Sequence, residues 1–238
     1  MSVSGQADVR EQGSEKGPRG RMRRLMLDTA VRLMQSGVMP SVSEVGEAAG
    51  VSRATAYRHF PSQAALIQAA VDDALGPILS YEPSSTDPRE RVTGLIEFAF
   101  PRMESFEATH RAALLLALDQ WLRRQAGTLG EEPRVVRGNR RGLLRAAVEP
   151  LKDVLGRAGT ERVAQAMSLI FGIEAIIVLK DIWGLDAAEA QDVIVWTAQA
   201  LIGVALRDAG AEGETAPAAK PRGVRKTGAA TRPRVKGG

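Results

Sequence analysis

Residues 41–63 read SVSEVGEAAGVSRATAYRHFPSQ, and their spacing decides the fold. Ser41 with Glu44 three residues on is the capping-box spacing: the hydroxyl accepts from a first-turn N–H and the carboxylate reaches back to the cap. Val45, Ala48 and Ala49 follow as an apolar face. At Gly50 the chain must turn, in a conformation that only glycine adopts cheaply. Ser52 is a second cap, and a second helix is predicted from Arg53 to Phe60, stopped by Pro61. At about 100° per residue, Ala56 and Phe60 share the buried side, while Ala54, Thr55 and Arg58 lie opposite. Tyr57 and His59 take the flanks, and Arg53 sits in the first turn. A helix pressed into a major groove needs small or hydrogen-bonding residues at its floor and donors toward both phosphate walls.

The wider composition fits such a unit. The chain has 238 residues, no cysteine and a net charge of +4. Without cysteine there is no disulfide, thiolate metal site or cysteine nucleophile. Seven basic and no acidic residues lie beyond position 215, which leaves −3 on residues 1–215. Within that acidic remainder, Arg19, Arg21, Arg23, Arg24, Arg32, Arg53 and Arg58 cluster in the N-terminal quarter. A basic patch on an acidic body points to local nucleic-acid binding. RGRMRR (19–24) reads as a basic arm that touches phosphate or enters the minor groove, with Arg21 and Arg23 as its candidates. It leads into a helix to about Ser36 whose apolar stripe packs under the hairpin.

The stretch AGVSRATAYRHFPSQAAL resembles the DNA-binding segment of the TetR/AcrR family of bacterial regulators. Ala49, Gly50, Val51, Ser52, Thr55, Tyr57, His59, Phe60 and Ser62 carry the resemblance, which is direct from residue 20 to 66. Gln63 stands where that family usually has a phosphate-contacting lysine. The resemblance implies an all-α protein of about nine helices. Residues 19–66 would be a three-helix helix-turn-helix DNA-binding domain, and 67–210 a helical domain for effector binding and dimerisation. Residues 1–18 and 211–238 are expected to be disordered. The resemblance implies DNA contacts from Arg21, Arg23, Ser41, Ser52, Arg53, Ala54, Thr55, Tyr57, Arg58, His59 and Gln63.

Further helices are expected at Gln63–Leu75, broken or kinked by Gly76-Pro77, and at Pro88–Glu104, kinked by Pro101. Others follow over Ala108–Gln125, Arg134–Leu155, Thr160–Trp183 and Ala187–Asp208. The run Leu169–Leu179 and the run Val193–Leu206 are apolar nearly all round and so must be buried on every side. A bundle shared by two subunits accomplishes this, with Ile176, Leu179, Trp196 and Ile202 as interface candidates; the alternative is a central hairpin within one chain. An effector pocket is implied by the resemblance alone. Its candidates are Phe98, Met103, Leu118, Trp121, Met167, Phe171 and Glu174, the last a carboxylate in apolar surroundings that needs a partner. Arg134, Arg137, Arg141 and Arg145 fall on one helical face, either solvated or set against an anion or neighbouring acids.

No phosphate-cradling glycine loop or HExxH spacing occurs, and an enzyme is not expected. Nor is a cofactor or metal. The N-terminus lacks a signal-peptide core and the run Val193–Leu206 is too short to span a bilayer, so a cytoplasmic protein is expected. The reading is a homodimeric repressor of a palindromic double-stranded DNA operator, released by a small molecule. Two alternatives stay open: a DNA-binding protein controlled by a protein partner, and a ligand binder with weakened DNA contacts.

Overall fold

The computed structural model describes residues 17–135 and 137–215, with side chains to residue 210. The segments expected to be disordered, 1–18 and 211–238, lie largely outside these. The described residues form α1 (Pro18–Gln35), α2 (Val42–Ala48), α3 (Arg53–His59), α4 (Gln63–Leu79), α5 (Pro88–Ser105), α6 (Glu107–Gln125), α7 (Arg140–Val148), α8 (Lys152–Met167), α9 (Ile173–Ile177) and α10 (Ala187–Thr215). No strand occurs among them. The class is all-α, with an N-terminal helix-turn-helix followed by a helical body.

Three apolar clusters hold these helices together. The first joins α1 to the hairpin and α4 through Met26, Ala30, Val45, Ala56, Phe60, Leu66 and Ala70. Burying Phe60, only 2% exposed, contributes about 2–3 kcal/mol. The largest cluster unites α5, α7, α8 and α10 with the end of α4. A smaller one, built on Ala64, Ile67, Val71, Ala113 and Leu116, joins α4 to α6. Only α4 of these helices contributes buried residues to all three: Leu66 and Ala70, then Ile67 and Val71, then Ile78.

Five departures from the periodicity reading each have a physical reason. First, α4 runs on through Gly76-Pro77 to Leu79. Proline removes the N–H that would serve the carbonyl four residues earlier. Arg102 of α5 supplies the missing donors, giving Nη2 to the Asp73 carbonyl at 2.9 Å and Nε to the Ala74 carbonyl at 2.5 Å. Second, the inward face of α2 is Val42, Val45 and Gly46, while Ala48 is exposed. A Cβ on Gly46 would lie 3.0 Å from the Ala56 Cβ, so this glycine is what lets α2 and α3 approach.

Third, α7 starts at Arg140, not Arg134, because Pro133 and Gly138 (φ +136) hold the preceding stretch in a loop. Arg134 and Arg137 therefore share no helical face with Arg141 and Arg145. Fourth, the helix expected over 160–183 is interrupted between Met167 and Ile173. Gly172 adopts φ +142 there. After α9 the chain continues as a wider π-type turn, Val178–Ile182. Lys180 in that turn pairs with Glu107 at 2.6 Å and Asp181 with Arg111 at 2.6 Å, both on α6.

Fifth, α10 extends to Thr215 and is capped by a reciprocal Asp186–Glu189 box with both bonds at 2.9 Å. Its stretch Ala187–Gly210 spans 24 residues with hydropathy 1.2, so by length and composition alone it could cross a membrane. The shorter apolar run understated this, because alanines extend it at both ends. One stripe of α10, with Ala190, Ile194, Ala198 and Ile202 each at most 3% exposed, packs in the body's core against α5 and α8.

Candidate nucleic-acid interface and cavity

The α2–α3 hairpin is assembled from short-range hydrogen bonds. Ser41 Oγ accepts from the Glu44 N–H at 3.2 Å, and the Ser41 N–H donates to Glu44 Oε2 at 2.7 Å. The cap's backbone and side-chain donors hold the Glu44 carboxyl below its usual range. Ser52 Oγ accepts from the Thr55 N–H at 3.3 Å and donates to Thr55 Oγ1 at 3.0 Å. Both serines are thus engaged as helix caps. With these caps in place and Ala56 and Phe60 buried, α3 presents Arg53, Ala54, Tyr57 and Arg58 to solvent, and Thr55 and His59 in part.

The flanking groups are held as well. The Arg53 guanidinium lies over the Tyr57 ring, 5.7 Å from its centroid, and Ser43 Oγ donates to the Tyr57 hydroxyl at 3.3 Å. Arg23 of α1 lies over Phe60 at 5.3 Å, bringing the start of α1 beside the end of α3. Burial lowers the pKa of His59, and the charges of Arg19, Arg23 and Arg58 lower it further. The N-terminus of α1 and the C-terminus of α3 therefore form one cationic surface. Among the described residues, Arg21, Arg53 and Arg58 have no carboxylate partner.

Gln63 Nε2 donates to the Pro40 carbonyl at 3.0 Å, tying the start of α4 to the α1–α2 loop. Its amide nitrogen is engaged internally, which the pattern with a lysine did not suggest.

A second feature lies in the body. A cavity of about 120 Å³ sits between the end of α4, α5, α6, the loop before α7, and the Phe171–Glu174 turn. Val71, Leu75, Ile78, Met103, Leu143 and Phe171 make its apolar walls. Its polar end holds Glu174 between two arginines. Arg140 gives it two hydrogen bonds, at 2.8 and 3.0 Å, and also donates to the Phe171 carbonyl at 2.9 Å, while Arg137 gives it another. Burial pushes Glu174 upward, but the Arg140 hydrogen bond and the two arginine charges hold its carboxyl below the usual range. Gly172 makes this possible, because any side chain there would collide with the Arg140 guanidinium. His110, on another wall, is pushed down to about 4 by burial, and its Nε2 has no partner. Gln120, 1% exposed, orders the loop over the cavity: it donates to the Pro133 carbonyl at 2.9 Å and accepts from the Val135 N–H at 3.0 Å.

Of the seven residues expected around an effector, Met103, Phe171 and Glu174 line this cavity. Met167 is 1% exposed in the adjoining core. Phe98 is 48% exposed and stacks on Tyr81 with centroids 5.0 Å apart. Trp121 is exposed, and Leu118 lines a separate groove beside Val38 and Met39. Leu118 and Trp121 point elsewhere because α6 turns its Ala113 side, not its Leu118 side, to the cavity. His110 and Asp119 are weaker polar candidates for ligand contact, and of the two His110 lines the cavity; sequence reasoning missed Gln120 as the loop's anchor and Arg140 as the main partner of Glu174.

Of the four interface candidates, Ile176 is 1% and Ile202 0% exposed inside the chain's own core, so neither is available to a partner. Leu179 is partly buried against that core. Trp196 is 71% exposed, as are Trp183 at 72%, Ile182 at 73% and Leu169 at 77%. The two faces of α10 differ: one packs within the chain and the other carries apolar side chains to the surface.

Comparison with known proteins agrees with the hairpin's geometry. Residues 26–70 match the family of bacterial regulatory proteins, tetR family. The HTH-type transcriptional regulator BetI of Rhizobium meliloti (strain 1021) is 32% identical over 99 residues, which are 39% of this chain. The chain spans about half the length of that curated relative, 48%. A TetR transcriptional regulator from Rhodococcus sp. RHA1, known as a crystal structure, overlays with a TM-score of 0.47 at 17% identity. That overlay covers 78% of this chain and 97% of the other.

Proposed function

We propose that the chain is a transcriptional regulator of the tetR family, whose DNA-binding domain its residues 26–70 match, and that it is a repressor that binds a palindromic operator as a homodimer and is released by a small molecule. It is a regulator, not an enzyme. In this reading residues 19–66 are the DNA-binding unit, and 67–210 bind the effector and the second subunit. Arg53, Ala54, Thr55 and Arg58 meet base edges. Arg21, Arg23, Tyr57 and His59 meet phosphates, and Ser41, Ser52 and Gln63 hold the hairpin in place. A cytoplasmic location follows from the need to reach DNA.

The observation that carries the coupling is α4. Its first half is packed with the hairpin through Leu66 and Ala70, and Val71, Leu75 and Ile78 of the same helix wall the cavity. A ligand that moves those walls also moves α3, and coupling of this kind is typically worth 1–3 kcal/mol. The exposed apolar face of Leu169, Val178, Val193 and Trp196 supports the homodimer, because a patch of this kind marks an interaction surface. Fluorescence anisotropy on labelled DNA flanking the protein's own gene tests the reading. Binding that is lost on adding a small molecule is the expected result. Binding that no small molecule alters would point to a protein partner, and no DNA binding at all to a ligand binder.

A further inference from the structure

The cavity's charge and size select a class of ligand. Resting on the reading of this cavity as the effector site, we infer that it takes a small carboxylic acid with one aromatic ring or a short branched chain. The ligand's carboxylate replaces Glu174 at Arg137 and Arg140.

Three observations lead there. Two guanidiniums face a single carboxylate at the polar end, so the cluster of Arg137, Arg140 and Glu174 carries one net positive charge. Arg137 stands on the loop before α7 and is 42% exposed, and Glu174 is 37% exposed, so the pair can open without unfolding a core. A guanidinium offers a planar fork of donors that suits any carboxylate, and a ligand's carboxylate presents the same acceptors as the glutamate it displaces. The remaining walls are apolar apart from Asn139 and His110, whose neutral ring leaves one buried nitrogen without a partner. That nitrogen can serve a second ligand oxygen. The room, about 120 Å³, is close to the roughly 150 Å³ that holds benzene in an engineered protein cavity. A ligand of this size reaches Val71 and Leu75 from the arginine end, so ligand binding bears directly on α4.

Glu174 acts in this scheme as an internal occupant that the ligand must displace. That gives the test an unusual sign. Isothermal titration calorimetry on the full chain uses benzoate, benzamide and benzylamine as probes of one shape and three charges. Benzoate is expected to bind, with benzamide weaker by at least about tenfold, the worth of one charge-assisted hydrogen bond. Glu174→Gln is expected to tighten benzoate binding by about tenfold, and Arg137→Gln, an exposed loop change, to weaken it by a similar factor. Preference for benzylamine, with loss in Glu174→Gln, would overturn the inference in favour of a cation site. Equal binding of benzoate and benzamide would overturn it, as would no benzoate binding in both the unaltered protein and Glu174→Gln. Benzoate binding that leaves DNA affinity unchanged would uphold the site's chemistry and overturn its reading as the effector site.

Discussion

Two sets of arginines in the molecule are used in opposite ways. At the α1–α3 surface, Arg21, Arg53 and Arg58 face solvent with no carboxylate partner among the described residues. In the body, Arg111, Arg123, Arg137, Arg140 and Arg145 are all paired, with Asp181, Glu132, Glu174, Glu174 and Glu161 respectively. Exposed pairs of this kind contribute little to stability. Their effect is to use up charge. A cation already paired has little to give a phosphate, whereas an unpaired one releases counterions on meeting DNA. Among these paired arginines the Arg137–Glu174–Arg140 cluster stands apart, because two cations share one anion at a cavity.

The contrast can be attacked from either end. The largest effect is expected at the apolar face of α10. Trp196→Asp should give monomers by light scattering and weaken operator binding by roughly 100-fold or more, because joined half-sites gain about 10²–10⁴ from effective concentration. A stable dimer with unaltered affinity would move the interface elsewhere. Next comes His110. Its folded pKa of about 4 lies below the ordinary 6.5, so the unfolded chain takes up a proton first as pH falls. Stability is therefore complete above about pH 6.5 and is lost progressively down to about pH 4. This loss amounts to about 3 kcal/mol, the value of the shift, from this group. Urea melts across that range, compared with His110→Phe, check the slope; equal slopes would discard the assignment.

Arg58→Ala is expected to cost about 1–3 kcal/mol in DNA binding and to relax base preference at one position, while Tyr57→Phe weakens all sequences alike. Binding selections on randomised DNA separate the two, and a changed base preference in Tyr57→Phe would break the division between floor and flank. The smallest effect concerns His59. A phosphate beside it favours the protonated ring, whereas in the free protein burial and three arginines disfavour it. DNA affinity should thus rise modestly as pH falls from 8 to 6, and His59→Ala should flatten that rise.

The same contrast governs what could be read from the chain itself. The hairpin's determinants are local: Ser41 with Glu44 and Ser52 with Thr55 are each three residues apart, and their caps form as the spacing predicts. Gly46 escaped notice because its role, making room for Ala56, belongs to the crossing of two helices. In the body the deciding contacts are distant. Arg102 reaches the carbonyl that Pro77 leaves unserved across 29 residues, and Arg140 reaches Glu174 across 34. Periodicity could mark Pro77 as a breaker and Glu174 as a carboxylate in need of a partner. It could not say which arginine would answer either need. Likewise the all-round apolar character of α10 required burial on both faces without telling which face the chain buries itself. Ile202 and Trp196 lie on opposite answers to that question.

In the proposed dimer two copies of α3 read one two-fold site. DNase I footprinting of the full chain on DNA flanking its own gene tests it most directly. A protected inverted repeat is expected, its half-site centres about one helical turn, 34–36 Å, apart or a multiple of that. Protection of a single asymmetric half-site, or protection indifferent to sequence, would contradict it.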